Sequence, residues 1–164
     1  MPDCGPAAIA VGLPGPEGGQ SYVFDAGQCR LRYAWSGGFV DNTDQWEGKG
    51  QRLTKIVGEI YFRDTGGFPW RIGTANEQIP QFKGYRLRNR YPEFQYIVNG
   101  VTIHELIRPL PTGRGLVRSF TLSPSKESVS FLAMAQSGIQ LKPSVGQFKN
   151  GVLRLPAGTR QFTL

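Results

Sequence analysis

Apolar and polar residues alternate with a period of two along most of this chain, and no stretch sustains the 3.6-residue spacing of an amphipathic helix. The pattern is densest at residues 22–41, YVFDAGQCRLRYAWSGGFVD. Tyr22 to Phe24 reads as a strand, Asp25-Ala26-Gly27 as a turn, and a second strand begins at Cys29. Cys29, Leu31, Tyr33 and Trp35 share one parity and should face the core, while Arg30 and Arg32 should face water. The alternation stops at Ser36-Gly37-Gly38, where paired glycines let the chain leave the sheet.

The same reading places further strands at Ala7–Leu13, closed by Pro14-Gly15-Pro16, and at Gln20–Asp25. Lys55–Arg63 reads as one strand, apolar on both parities and therefore expected in the middle of a sandwich. The clearest hairpin is centred on Asn99-Gly100. A two-residue type I′ turn there sets Val98 opposite Val101, Tyr96 opposite Ile103 and Phe94 opposite Glu105 on the core face. Ile97 then faces Thr102, and Gln95 faces His104, on the polar side. Leu116–Leu122, Ser128–Ala135, a hairpin at Asn150-Gly151 and Arg160–Leu164 complete the set. The pattern predicts an all-β fold, an antiparallel β-sandwich of about ten short strands with two long glycine- and aromatic-bearing loops. Thr74-Ala75-Asn76-Glu77 has capping-box spacing, but Pro80 limits any helix to about one turn.

Length changes this picture little: 164 residues fit a single domain. The 22 glycines and 12 prolines supply the frequent turns that an all-β chain needs. A formal charge of +7 permits anionic partners, but the basic residues are dispersed and no nucleic-acid-binding motif accompanies them, so nucleic acid is not an expected partner. Cys4 and Cys29 could pair, or could be one buried thiol and one loop thiol. No apolar run is long enough to cross a membrane, and Met1-Pro2-Asp3-Cys4 lacks the features of a signal peptide.

FDAGQCRLRYAWSGGFVD, GFPWRIG at 67–73 and FKGYRL…YPEF at 82–94 carry a resemblance. Together they resemble a β-rich region of large exported bacterial proteins that also bear a c-type cytochrome domain, often beside a sugar-dehydrogenase-like propeller. The resemblance spans roughly Ala7 to Arg118. It implies a periplasmic or extracellular setting, a parent polypeptide longer than this chain, and a cytochrome c or dehydrogenase domain as neighbour. It brings no catalytic residues with it. The chain has no C-x-x-C-H, so no haem or other cofactor is expected in it. Strand edges left open at the ends of such a piece would promote self-association.

Candidate chemistry gathers in the two long loops. Ser36–Trp46 holds Phe39, Asp41, Asp44 and Trp46, and Gly66–Gly73 holds Trp70 and Arg71. Aromatic faces stack on sugar C–H surfaces while acids and arginine bond hydroxyls. If Lys55–Arg63 brings the two loops to one end of the sandwich, these six residues would line a shallow saccharide cleft. The plainer reading makes the aromatics plugs of the sheet ends and the acids turn formers. A non-catalytic carbohydrate-binding or accessory module is the leading expectation, a structural domain docking a redox partner the second. A carbohydrate-active enzyme comes third, because no nucleophile motif frames a serine near His104. Asp41, Asn42 and Asp44 lack the spacing of a calcium loop.

Overall fold

Asn99 and Gly100 both adopt positive φ, 44° and 80°, as a type I′ turn requires. The strands that this turn joins pair in the anticipated register, with Val98 opposite Val101, Tyr96 opposite Ile103 and His104 opposite Gln95. The computed structural model that shows this describes residues 1–14, 19–49, 52–74 and 78–164. Among the described residues the pairings are antiparallel and helix is confined to one short segment, residues 43–49, most of it the π-type turn Gln45–Lys49, so the chain is all-β. The Pro14-Gly15-Pro16 turn and the Thr74–Glu77 capping box fall partly outside the described residues.

The chain divides into two compact units, Met1–Asp64 and Thr65–Leu164, where the alternation reads as a single sandwich domain. In the first unit, β1 (Ala8–Leu13), β2 (Gln20–Asp25), β3 (Arg30–Ser36) and β6 (Glu59–Arg63) form one sheet in the order β1-β2-β3-β6. The two-residue strands β4 (Val40–Asp41) and β5 (Lys55–Ile56) form a small ribbon. Val23, Tyr33 and Trp35 make one buried cluster of this unit, with Cys4, Ala10, Val40, Ile56 and Ile60 packed against them.

Three expectations for this unit are corrected. Cys29 sits in the turn at φ 48° rather than in the strand, and β3 begins at Arg30. A bulge shifts the register so that Val23 faces Tyr33 but Phe24 faces Leu31, leaving Arg32 as the extra residue. Arg32 therefore turns outward and donates to the Asp3 carbonyl, while Arg30 is buried and paired with Asp64 at 2.7 Å instead of facing water. Lys55–Arg63 is not one strand either. Gly58, at φ 145°, packs so tightly that a Cβ there would lie 2.2 Å from the Ser36 carbonyl oxygen. That break separates β5 from β6, and β6 is an edge strand rather than a middle one.

In the second unit, β8 (Gln81–Arg88), β9 (Tyr91–Val98), β10 (Val101–Pro109), β11 (Leu116–Leu122) and β15 (Gln161–Thr163) form a five-stranded sheet, with β8 at one edge. A smaller sheet contains β7 (Trp70–Ile72), β12 (Val129–Leu132), β13 (Phe148–Lys149) and β14 (Val152–Arg154). Aromatic rings join the two sheets as the layers of a sandwich. Trp70 meets Phe120 and Phe162 edge-on, with centroids at 5.4 and 6.1 Å, and Phe120 stacks on Phe162 at 4.7 Å. The Asn150-Gly151 hairpin forms as anticipated, with both φ values positive.

Candidate functional site

The chain leaves β3 at Ser36 and is at once folded back by Trp35. Its indole Nε1 donates to the carbonyls of Gly38 and Phe39, at 3.0 and 3.1 Å. Phe39 then stacks on the Trp35 ring, with centroids 6.2 Å apart and planes 17° from parallel. The result is a flap running from β4 through the π turn to β5.

Each acid of the flap has a local task. Asp41 accepts from the Thr43 backbone N–H at 2.9 Å and from its hydroxyl at 2.6 Å, an Asx turn, and those bonds hold its carboxyl below the usual range. Asp44 pairs with Lys55 at 2.8 Å and Arg52 at 3.5 Å. The bond from Lys55 lowers the Asp44 carboxyl and raises the Lys55 ammonium in turn. Gln45 donates to the Arg52 carbonyl and to the Thr54 hydroxyl. These bonds hold up Trp46, whose side chain is largely in solvent at 83% exposure. Phe39, Leu53 and Val57 are also exposed on the same flap.

Trp70 and Arg71 have a different setting. Both lie on β7 in the second unit, whereas Phe39, Asp41, Asp44 and Trp46 belong to the first. Trp70 is fully buried among Phe120, Phe131 and Phe162. Arg71 is exposed and turns back onto its own chain, donating to the carbonyls of Phe68 and Trp70. Within the first unit, β3 and β6 run antiparallel, with Ser36 opposite Glu59 and Tyr33 opposite Arg63. The two long connections therefore leave this sheet at opposite ends.

Trp70 instead begins a buried polar chain. Its Nε1 donates to the Tyr96 hydroxyl at 3.0 Å, which donates to Glu105 Oε2 at 2.9 Å. Glu105 Oε1 accepts from Arg118 Nε at 2.8 Å. Glu105 and Tyr96 are wholly buried, and burial followed by the adjacent Glu105 charge pushes the Tyr96 hydroxyl well above its usual pKa. Arg118 also lies over the Phe120 and Phe131 rings. The sequence places Glu105 on the core face, but the tyrosine and arginine that satisfy it, and the tryptophan bonded to that tyrosine, come from three other strands.

A second feature escaped the sequence reading altogether. The outward face of the five-stranded sheet has an open depression of about 310 Å³ near the β8–β9 turn. Asn89-Arg90, both at positive φ, make that turn between two alternating runs, 81–88 and 91–98. Asparagine followed by arginine is a weaker turn signal than asparagine followed by glycine.

Cys4 and Cys29 are both free thiols. Cys29 is buried and bonds the Ala26 carbonyl, while burial pushes the Cys4 thiol up against the lowering effect of its bond to Tyr33. Among the described residues no three His, Cys, Asp or Glu side chains gather as metal ligands, and no helix is long and apolar enough to cross a membrane. No curated protein and no solved structure matches this chain. Residues 22–105, just over half of the chain, match a domain of unknown function, DUF6797, across the β2–β3 pair, the flap and the predicted Asn99-Gly100 hairpin. The chain therefore belongs to the DUF6797 family.

Proposed function

We propose that this chain is a non-catalytic binding module of an exported protein of the cytochrome c or dehydrogenase type, with saccharide as its ligand and Trp46 as the stacking platform. The observation that carries this reading is the exposure of Trp46 on a flap braced by Asp41–Thr43 and Asp44–Lys55. A large indole held in water by a structured support is what a sugar C–H face requires. Of the four acids from which a catalytic carboxylate pair could be drawn, Asp41, Asp44, Glu59 and Asp64, three are bonded to neighbours: Asp41 to Thr43, Asp44 to Lys55 and Asp64 to Arg30. Asp41 and Asp44 thus position Trp46, and Trp70 supports the fold of its own unit.

Glycan-array screening of the purified chain, repeated with Trp46→Ala, tests the reading. Retained stability with lost glycan binding supports it, and the absence of any glycan signal refutes it. Phe39, Leu53 and Val57, exposed on the same flap, favour a second reading in which the flap docks a neighbouring redox domain. In that case the arrays stay blank, and Trp46→Ala weakens association with the adjoining domain supplied in trans.

A further inference from the structure

We propose that the outward face of the five-stranded sheet in Thr65–Leu164 carries a second binding site, for a carboxylate-bearing sugar, at the β8–β9 turn. The depression there is lined by Arg88, Asn89, Tyr91, Leu106, Arg108 and Ser119. Register explains the grouping. Arg88 lies opposite Tyr91, and Leu106 lies opposite Ser119, so neighbouring rows of one face contribute a ring, an apolar side chain, a hydroxyl and guanidinium groups.

The charge at this spot is strongly positive. Glu93 is the local anion, and Arg86 and Arg88 bind its two oxygens at 2.6 and 2.8 Å. Those two bonds outweigh burial and keep the Glu93 carboxyl below its usual range. Arg108 and Arg90 are exposed, and neither has an acidic partner among the described residues. The Arg108 guanidinium thus remains for a ligand anion in a depression already short of negative charge, and Arg90 lies in the turn between the lining residues Asn89 and Tyr91. Planar guanidinium forks match a carboxylate, the Tyr91 and Leu106 side chains suit a sugar's C–H face, and Asn89 and Ser119 can bond its hydroxyls. The volume is at the small end for ligand sites, which suits one or two sugar rings.

The turn itself gives an independent argument. Among the described residues, three two-residue turns have positive φ at both positions. Two are Asn99-Gly100 and Asn150-Gly151, with glycine at the second position. The third is Asn89-Arg90, where arginine takes φ 71° although glycine would do so without strain. A strained arginine at the rim of an arginine-lined depression is explained if its guanidinium is used.

The site belongs to Thr65–Leu164 and shares no residue with the Trp46 platform, and calorimetric titration of the whole chain with trigalacturonic acid tests it. The controls are its methyl ester, inorganic phosphate and a short single-stranded oligonucleotide. We expect the free acid to bind, the methyl ester to bind at least tenfold more weakly, and phosphate to compete poorly. Arg108→Ala and Tyr91→Ala should each weaken binding tenfold or more with the fold intact by circular dichroism, and Arg90→Gly should weaken it while raising the melting temperature. Trp46→Ala should leave it unchanged. Equal binding of acid and ester, tighter binding of the oligonucleotide, no binding at all, or dependence on Trp46 but not Arg108 would each overturn the proposal.

Discussion

Replacing Tyr96 with phenylalanine removes one oxygen atom from the centre of the buried polar chain and leaves the ring in place. Two partners lose by it. The Trp70 indole N–H, 3.0 Å from that oxygen, is left without its acceptor in a fully buried position, at a cost of about 1–3 kcal/mol. Glu105 Oε2, 2.9 Å away, loses a bond to a charged acceptor worth about 1.5–3 kcal/mol, while Oε1 keeps Arg118. Some relaxation is available, so a net loss of about 3 kcal/mol is expected, or roughly 1–2 M in urea midpoint. Urea unfolding followed by tryptophan fluorescence measures it, with Tyr85→Phe, at an exposed ring, as the control expected to show no loss. The alkaline limb gives a second readout. The folded Tyr96 pKa is raised, so its contribution to stability is fully present below the unfolded tyrosine value of about 10 and is lost as pH rises beyond it. Tyr96→Phe should flatten that limb in part, since Tyr33, raised mainly by burial, contributes in the same direction. A stability change below about 0.5 kcal/mol would show that this chain of hydrogen bonds does not hold the core, and the reasoning would fail.

Four further outcomes follow from the geometry. Gly100→Val meets open space, so it should lose about 1–3 kcal/mol from backbone strain alone, read as a lowered melting temperature. Arg90→Gly relieves the strained turn, and a gain of about 0.5–1 kcal/mol in chemical denaturation is expected after the unfolded-state entropy of glycine is allowed for. Trp70→Ala should lose about 3–5 kcal/mol, whereas Trp46→Ala should stay within about 0.5 kcal/mol of the parent; equal losses would contradict their opposite burial. The folded Glu93 pKa is lowered, so its contribution is present above the unfolded carboxylate value of about 4.3 and lost as pH falls through the folded one. Glu93→Gln should therefore reduce stability at neutral pH and make acid unfolding shallower, and an unaltered acid limb would rule out that role.

The sequence by itself determined the all-β class, the Asn99-Gly100 and Asn150-Gly151 turns, and the register between Tyr91–Val98 and Val101–Pro109. These are local quantities: alternation fixes which side chains share a face, and a turn that demands positive φ at two positions fixes which residues meet across it. Asp41 was legible too, as a turn former, because it and Thr43 bond within two residues of each other, whereas Asp44 pairs with Lys55 across the ribbon. Only the tertiary structure decided the rest. Trp46 and Trp70 look alike in sequence, each near glycines and an aromatic neighbour, yet one is in water and the other lies beneath Phe120 and Phe162, which come from strands 50 and more residues away. Whether Arg30 faced water depended on a bulge after Val23 and on Asp64 arriving from another strand. The break at Gly58 depended on the Ser36 carbonyl lying against it. The arginine-lined depression likewise needs β8, β9, β10 and β11 side by side, since Arg88, Tyr91, Arg108 and Ser119 share a surface only once that sheet has formed. Period-two patterning reports which way a side chain points; what it meets is set by strand order, which the pattern does not encode.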